Sequence, residues 1–156
     1  DGSFEAFTNY GRESTGLDAV ELALRSVEWG AGELVVTSID REGTGGGFDL
    51  ELTRRIAELV PVPVIASGGA GNPHDVKDVI MQGKANAVSI ASLLHYDCIG
   101  RFHYSEQDFP QEGNVEFLQR RRWSSKFKGV TLQDIKNELA KNGVLCRPTQ
   151  MVRTHV

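Results

Sequence analysis

The alternation of short apolar runs with amphipathic segments constrains the fold of this chain more than any other feature. Three apolar runs, at 33–40 (ELVVTSID), 62–67 (VPVIAS) and 86–91 (NAVSIA), have the near-continuous character of strands that a parallel sheet buries on both faces. Apolar residues at helical spacing lie before and between these runs, at 17–29, 49–59 and 72–82. Strands that alternate with helices of this length indicate βαβ units, so the predicted fold class is α/β with parallel strands.

The boundaries of these elements carry local signals of their own. Residues 3–15 alternate in character and turn near Asn9, which predicts a leading β-hairpin. Asp49 is a suitable N-cap for the second helix, and Asn72 followed by Pro73 is a cap and first-turn pair for the third. Right-handed crossovers then place the carboxyl ends of all three strands on one rim of the sheet.

Composition narrows the classes of partner and compartment. The 156 residues carry a formal net charge of −4, which gives no reason to expect a nucleic-acid ligand. No window reaches the apolar length of a transmembrane helix, so no membrane partner is expected. Cys98 and Cys146 are isolated, which favours a reducing, cytoplasmic compartment, and the apolar neighbour of Cys98 predicts a buried thiol. The chain begins at Asp1 rather than Met, which is the pattern of a processed or truncated piece.

Polar residues and glycines gather where the three predicted strands end. Asp40 and Glu42 follow the first strand, the loop SGGAGNP (67–73) follows the second, and Ser92 follows the third. Glycines let backbone N–H groups approach an anion closely, and the start of the next helix adds a favourable dipole. The pattern therefore predicts a phosphate site that uses the loop's Gly68, Gly69 and Gly71. A tight strand-to-helix turn without a ligand explains the same glycines equally well.

The blocks GAGELVVTSIDREGTGGGFD, VPVIASGGAG and NAVSIASLLHY carry a family resemblance. They are similar to the C-terminal half of the cyclase subunit of imidazole glycerol phosphate synthase, a (βα)8 barrel family of histidine biosynthesis. The resemblance runs over 1–96 and resumes at 129–147. It implies half of a (βα)8 TIM-type barrel, with the chain divided into a C-terminal half-barrel of a hairpin and three βα units (1–96), an insertion (97–128), and a final helix and tail (129–156).

The resemblance also implies an activity and a partner. The family takes ammonia from a glutaminase subunit and adds it to phosphoribulosyl-formimino-aminoimidazole carboxamide ribotide, giving imidazole glycerol phosphate and aminoimidazole carboxamide ribotide. The substrate is a bisphosphate; no cofactor is implied, and no two histidines have metal-like spacing. Glu33 matches a charged residue of the ammonia gate, and residues 38–49, with Gly43 and Thr44, match a loop that closes over substrate. Five positions match the family's phosphate site in this half: Thr37, Ser67, Gly68, Gly69 and Ser92.

The chain also departs from the family pattern. The family's two catalytic aspartates lie on its first and fifth strands, and neither strand is present in this sequence. Asp40 and Glu42 are the candidate catalytic carboxylates that remain, and Glu42 stands where the family commonly has Asp. Residues 97–128 have no counterpart in the short connection expected there. They form either a solvated loop with a short helix near 114–122, or a docking surface or basic contact to a substrate phosphate.

Three functions stay open at this point: a histidine-pathway cyclase half-barrel, a paralogous ammonia-using enzyme that amidates surface-polysaccharide sugars, and a non-catalytic half-barrel that acts as a binding module. Three parallel strands and a hairpin cannot close a barrel. Val35, Val64 and Ile90 are therefore expected to lack an opposing layer. Because open sheet edges recruit another chain, we expect pairing with an N-terminal half-barrel or with a second copy.

Overall fold

The computed structural model describes residues 2–101 and 129–148, with the backbone alone at 99 and 100. An antiparallel pair of strands opens the chain, and three parallel strands alternate with helices after it. None of the described helices combines the length and the apolar character needed to cross a bilayer. In chain order the elements are β1 (Glu5–Thr8), β2 (Glu13–Asp18), α1 (Ala19–Glu28), β3 (Leu34–Thr37), α2 (Leu50–Leu59), β4 (Val64–Ser67), α3 (Pro73–Met81), β5 (Ala87–Ser89), α4 (Ser92–Arg101) and α5 (Leu132–Lys141).

The three-stranded sheet has the order β3–β4–β5, and both pairs run parallel. Val35 pairs with Ile65, and Ile65 with Ala87, so these side chains share one face of the sheet. This is the open face, where Val35 is 61% exposed. The alternate residues point the other way, towards the helices. On this covered face Val64 is 0% and Ala66 1% exposed, so the core of the described residues lies on this side of the sheet.

Side chains cap the helices at the rim where the parallel strands end. Asp49 Oδ1 accepts a hydrogen bond from Leu52 N (3.0 Å), which begins α2. Asn72 and Asp75 form a capping box at the start of α3, and Pro73 occupies the first turn. The predicted caps Asp49 and Asn72 are confirmed. They fix the points at which the two loops of the rim turn into helices.

Two apolar clusters form the core. The first joins α1 and α2 to the start of β4 through Ala23, Leu52, Ile56, Val60 and Val64. The second joins α3, α4 and α5 to the sheet through Phe48, Ala66, Val76, Val79, Ala85, Leu93, Val130, Ile135 and Leu139. Helix α5 packs against α3, where His74 Nδ1 lies 2.9 Å from Glu138 Oε1. The C-terminal helix is therefore part of the same fold as the three βα units.

Three expectations are corrected by the structure. The helix predicted at 17–29 begins at Ala19, because Leu17 and Asp18 end β2 and Asp18 caps the helix. Val64 and Ile90, expected to lack an opposing layer, pack against the two core clusters, because strand alternation turns them towards the helices. Cys98, expected to be buried, is exposed, since α4 turns Leu93 towards the core. The short helix predicted near 114–122 lies outside the described residues.

Candidate functional site at the carboxyl rim

The loop between β3 and α2, residues 38–49, is tied to the sheet at both of its ends. Ser38 N donates to Ser67 O (3.2 Å), which continues the β3–β4 ladder past the strand ends. Ser38 Oγ lies 3.4 Å from Asp49 Oδ2, a long contact that brings the last residue of the loop back to the first. Ser38 is buried, with 7% of its surface exposed. The loop therefore starts and finishes at one anchored point on the rim.

Glycines bring this loop into direct contact with the loop that follows β4. Gly47 N donates to Gly69 O (2.9 Å). Gly69 has φ +107°, and a Cβ there would lie 2.3 Å from Gly47 O. A Cβ on Gly71 would lie 2.1 Å from Gly45 O. Side chains at either position would force the two loops apart, so these glycines have a packing role whatever ligand the rim binds.

A small cavity of about 40 Å³ lies where the loop after β4 meets the start of α4. Four of the predicted phosphate-site residues line it together: Ser67, Gly68, Gly69 and Ser92. The cavity exceeds the ~10–15 Å³ that one water molecule needs. The first amides of a helix have no partner within the helix, and Ser92 and Leu93 at the start of α4 line this space. We call this space the rim cavity.

The other two predicted phosphate-site residues do not line the rim cavity. Gly71 N donates to Asp75 Oδ2 (2.9 Å), so its amide is engaged by the capping box of α3. Thr37 lies on the open face and lines a larger groove along β3. Sequence spacing placed all six residues at the same rim, but it carried no information about which amides the helix caps would use.

The candidate carboxylates are placed differently from each other. Glu42 lines both the rim cavity and the groove along β3, and a Cβ built on Gly68 would lie 2.9 Å from Glu42 Oε2. Asp40 is exposed at the turn and does not line either space. Gly43 lines the rim cavity beside Glu42, and Thr44 Oγ1 donates to Arg41 O (2.8 Å) within the same turn. Of the two candidate carboxylates, Glu42 alone lines the rim cavity.

The groove along β3 is a depression of about 650 Å³. One wall is the edge strand β3, and the other is formed by the hairpin and by Leu22 and Ala23 of α1. Its lining is mostly apolar, with Thr37 and Glu42 at the rim end. Glu33, the predicted gate residue, is exposed just before β3, at the opposite end of that strand. In the described ranges no three His, Cys, Asp or Glu side chains come together as a metal site.

A parallel βα sheet whose loops and helix starts converge at the carboxyl rim is the arrangement of the βα-barrel class of enzymes. The chain belongs to the histidine biosynthesis protein family, whose sequence profile matches residues 1–99. Imidazole glycerol phosphate synthase subunit HisF of Alkaliphilus metalliredigens (strain QYMF) is 52% identical over 97 residues, which are 62% of this chain and 38% of that relative. The family resemblance read from the sequence is confirmed, and the chain spans well under half the length of this curated relative.

A solved structure also shows a partial likeness. The crystal structure of the Amycolatopsis orientalis BexX/CysO complex aligns over 84% of this chain and 44% of that chain, at 18% sequence identity and a TM-score of 0.45. A likeness at this level indicates nothing about function.

Proposed function

We propose that this chain contributes the phosphate-binding half of a cyclase site of histidine biosynthesis. In this role the rim cavity holds one phosphate of phosphoribulosyl-formimino-aminoimidazole carboxamide ribotide. Ammonia from a glutaminase subunit reaches the reacting atoms through a completed barrel, past Glu33, and the loop 38–49 covers the substrate. The products are imidazole glycerol phosphate and aminoimidazole carboxamide ribotide.

The rim cavity is the observation that supports this proposal best. In βα barrels, phosphate is commonly held by the loops after the last two strands and by the start of a short helix. Here the cavity lies between the loop after β4 and the first residues of α4. The hydroxyls of Ser67 and Ser92 add donors to the backbone amides of Gly68 and Gly69. The same arrangement suits any phosphate monoester of modest size.

Catalysis in this proposal requires more than the described residues supply. General acid–base catalysis needs two groups within hydrogen-bond reach of the reacting atoms. Glu42 is near the cavity, whereas Asp40 is exposed outside it. We assign Glu42 a direct contact with substrate and Asp40 a supporting place in the loop. Both catalytic carboxylates of the family come, in this proposal, from the strands that complete the barrel.

The groove along β3 is where that complementary half would join. Strand β3 is an edge of the three-stranded sheet, and the groove beside it leaves room for a further strand between β3 and α1. An added strand would satisfy ladder groups of β3 and cover Val35. The occupant we propose is an N-terminal half-barrel, with a second copy of this chain as the substitute when that half is missing.

The anion site is tested by placing a charge in the rim cavity without disturbing the fold. Asp is well tolerated in the first turn of a helix, so Ser92→Asp should leave stability intact while repelling a bound anion. We expect calorimetric titration with sulfate to show binding to the wild-type chain and at least about tenfold weaker binding to Ser92→Asp. Gln82→Glu is the control, because it adds a negative charge on an exposed residue at the opposite end of α3. Equal sulfate affinity in all three chains would refute the site.

The reaction is tested by complementation. We expect this chain alone, with ammonia and the bisphosphate substrate, to give no turnover. We expect turnover when it is mixed with the N-terminal part of the Alkaliphilus relative. Turnover only with a sugar acceptor would favour the amidating paralogue instead. Sulfate binding without turnover in either mixture would favour the non-catalytic binding module.

A further inference from the structure

The backbone of Glu42 is anchored to the sheet. Glu42 N donates to Ser38 O (3.0 Å), and Ser38 N in turn donates to Ser67 O (3.2 Å). Two hydrogen bonds therefore connect the backbone of Glu42 to the last residue of β4. From this anchored backbone the carboxylate reaches the space above Gly68, where a Cβ would lie 2.9 Å from Oε2.

The charge of this side chain is opposed to the ligand that the cavity geometry favours. Among the described residues that line the rim cavity, Glu42 is the only charged one, and the others are glycines, alanines, serines and two apolar residues. The neighbouring cation Arg41 lines a different depression, with Gly46 and Asp75. Amide N–H groups and a helix start attract an anion, and the carboxylate of Glu42 is the anionic group that lines this cavity among the described residues.

We propose that the Glu42 carboxylate is an internal competitor for the rim cavity, which phosphate must displace in order to bind. This inference rests on the anion site of the proposed function. Displacement needs only rotation of the side chain, because the backbone hydrogen bonds of Glu42 and Ser38 can persist. A free inorganic anion makes contacts only inside the cavity, so it binds weakly. A phosphate ester binds more tightly, since contacts of the rest of the molecule offset the displacement of the carboxylate.

The competition predicts that neutralising Glu42 tightens the binding of a bare anion. Glu42→Gln keeps the size and shape of the side chain and removes its charge, so we expect sulfate to bind at least about tenfold more tightly than to the wild type. Sulfate is the probe because its charge is constant over the working pH range. Glu58→Gln is the matched control, since it removes the same charge from an exposed residue on the last turn of α2, away from the rim. We expect its sulfate affinity to equal that of the wild type.

Two further measurements separate the possible outcomes. The amide resonances of Gly68 and Gly69 should shift on sulfate addition in both the wild type and Glu42→Gln, and Glu42→Ala should tighten binding in the same direction. If Glu42→Gln and Glu42→Ala bind sulfate no more tightly than the wild type, while the wild type binds and the Gly68 amide responds, the competition is refuted and the anion site stands. If none of the chains binds sulfate and no glycine amide responds, the anion site itself is refuted, and the competition with it.

Discussion

The two faces of the three-stranded sheet differ in how far they are covered by helices. On the covered face, the helices that pack there remove Val64 and Ala66 almost completely from solvent. On the open face, one residue further along the neighbouring strand, Val35 is 61% exposed. Burial at roughly 25 cal/mol per Å² of apolar surface stabilises the first face and leaves the second without that contribution. The open face is therefore the part of the molecule that an additional layer would stabilise.

The largest effect is expected where the open face meets a partner. If the chain pairs through β3, Val35→Asp would place a carboxylate in an apolar interface, and we expect self-association to weaken by about a hundredfold, or about 2.8 kcal/mol. Size-exclusion chromatography with light scattering measures this over a range of concentrations. Leu59→Asp is the control, because Leu59 is similarly exposed (55%) but lies at the end of α2. A wild-type chain that stays monomeric and unfolds cooperatively at micromolar concentration would contradict the prediction that the open face needs a partner.

A matched pair of truncations measures the difference between the faces directly. Val64→Ala removes two methyl groups from a fully buried position, and we expect it to lower the free energy of unfolding by about 2 kcal/mol. Val35→Ala is the same change on the open face, with an expected loss within about 0.5 kcal/mol. Urea denaturation of both variants tests this at a concentration where the chain is monomeric. Equal losses would mean that the open face is covered in solution.

The smallest effect is expected at the start of α5, on the covered side of the molecule. Hydrogen bonds from the Thr131 hydroxyl and backbone N–H hold the pKa of Asp134 below its ordinary value. This contribution is therefore fully present above the unfolded pKa, about 3.9, and is lost as the pH falls through the lower folded pKa.

We expect Asp134→Asn to lower the melting temperature at pH 7 and to match the wild type at a pH below the folded pKa. Other carboxylates with lowered pKa values, such as Glu5 and Glu51, titrate in both chains and cancel in the difference. A melting-temperature difference that does not depend on pH would show that the hydrogen bonds of Asp134 do not stabilise α5.

The sequence predicted the α/β class and the order of the elements up to β5 because both depend on local periodicity. Helix α4 was not predicted, and its residues 97–101 had been assigned to the insertion. The strands at 34–37, 64–67 and 87–89 fall inside the predicted apolar runs. The burial of Val64 was predicted wrongly. Alternate residues of a strand point to opposite faces, and a near-continuous apolar run does not indicate which residues point to the core. The exposure of Cys98 was missed for a similar reason, because α4 has no strong apolar stripe to orient it.

The candidate site was predictable only in outline. Glycines and serines at the strand ends indicated the rim, and four of the six predicted phosphate-site residues do line one cavity. Contacts between the two loops were not predictable, because Gly45 and Gly71 are distant in sequence and glycine has no side chain to mark an approach. The approach of Glu42 to Gly68 was not predictable for the same reason. A positive φ at Gly68 and Gly69 gives a reason for glycine there, but it does not identify the neighbour.

The close approach of the two rim loops restricts how this region can change in evolution and in protein engineering. Because the carbonyls of Gly45 and Gly47 fill the places where side chains at 71 and 69 would go, neither loop can be exchanged by itself. An insertion into 38–49, or a larger residue at 69 or 71, is compatible with the fold only if the other loop is altered to match. Substitutions in one loop are thus expected to require matching changes in the other. Chimeras between relatives should move both segments together, even though a whole helix separates them along the chain.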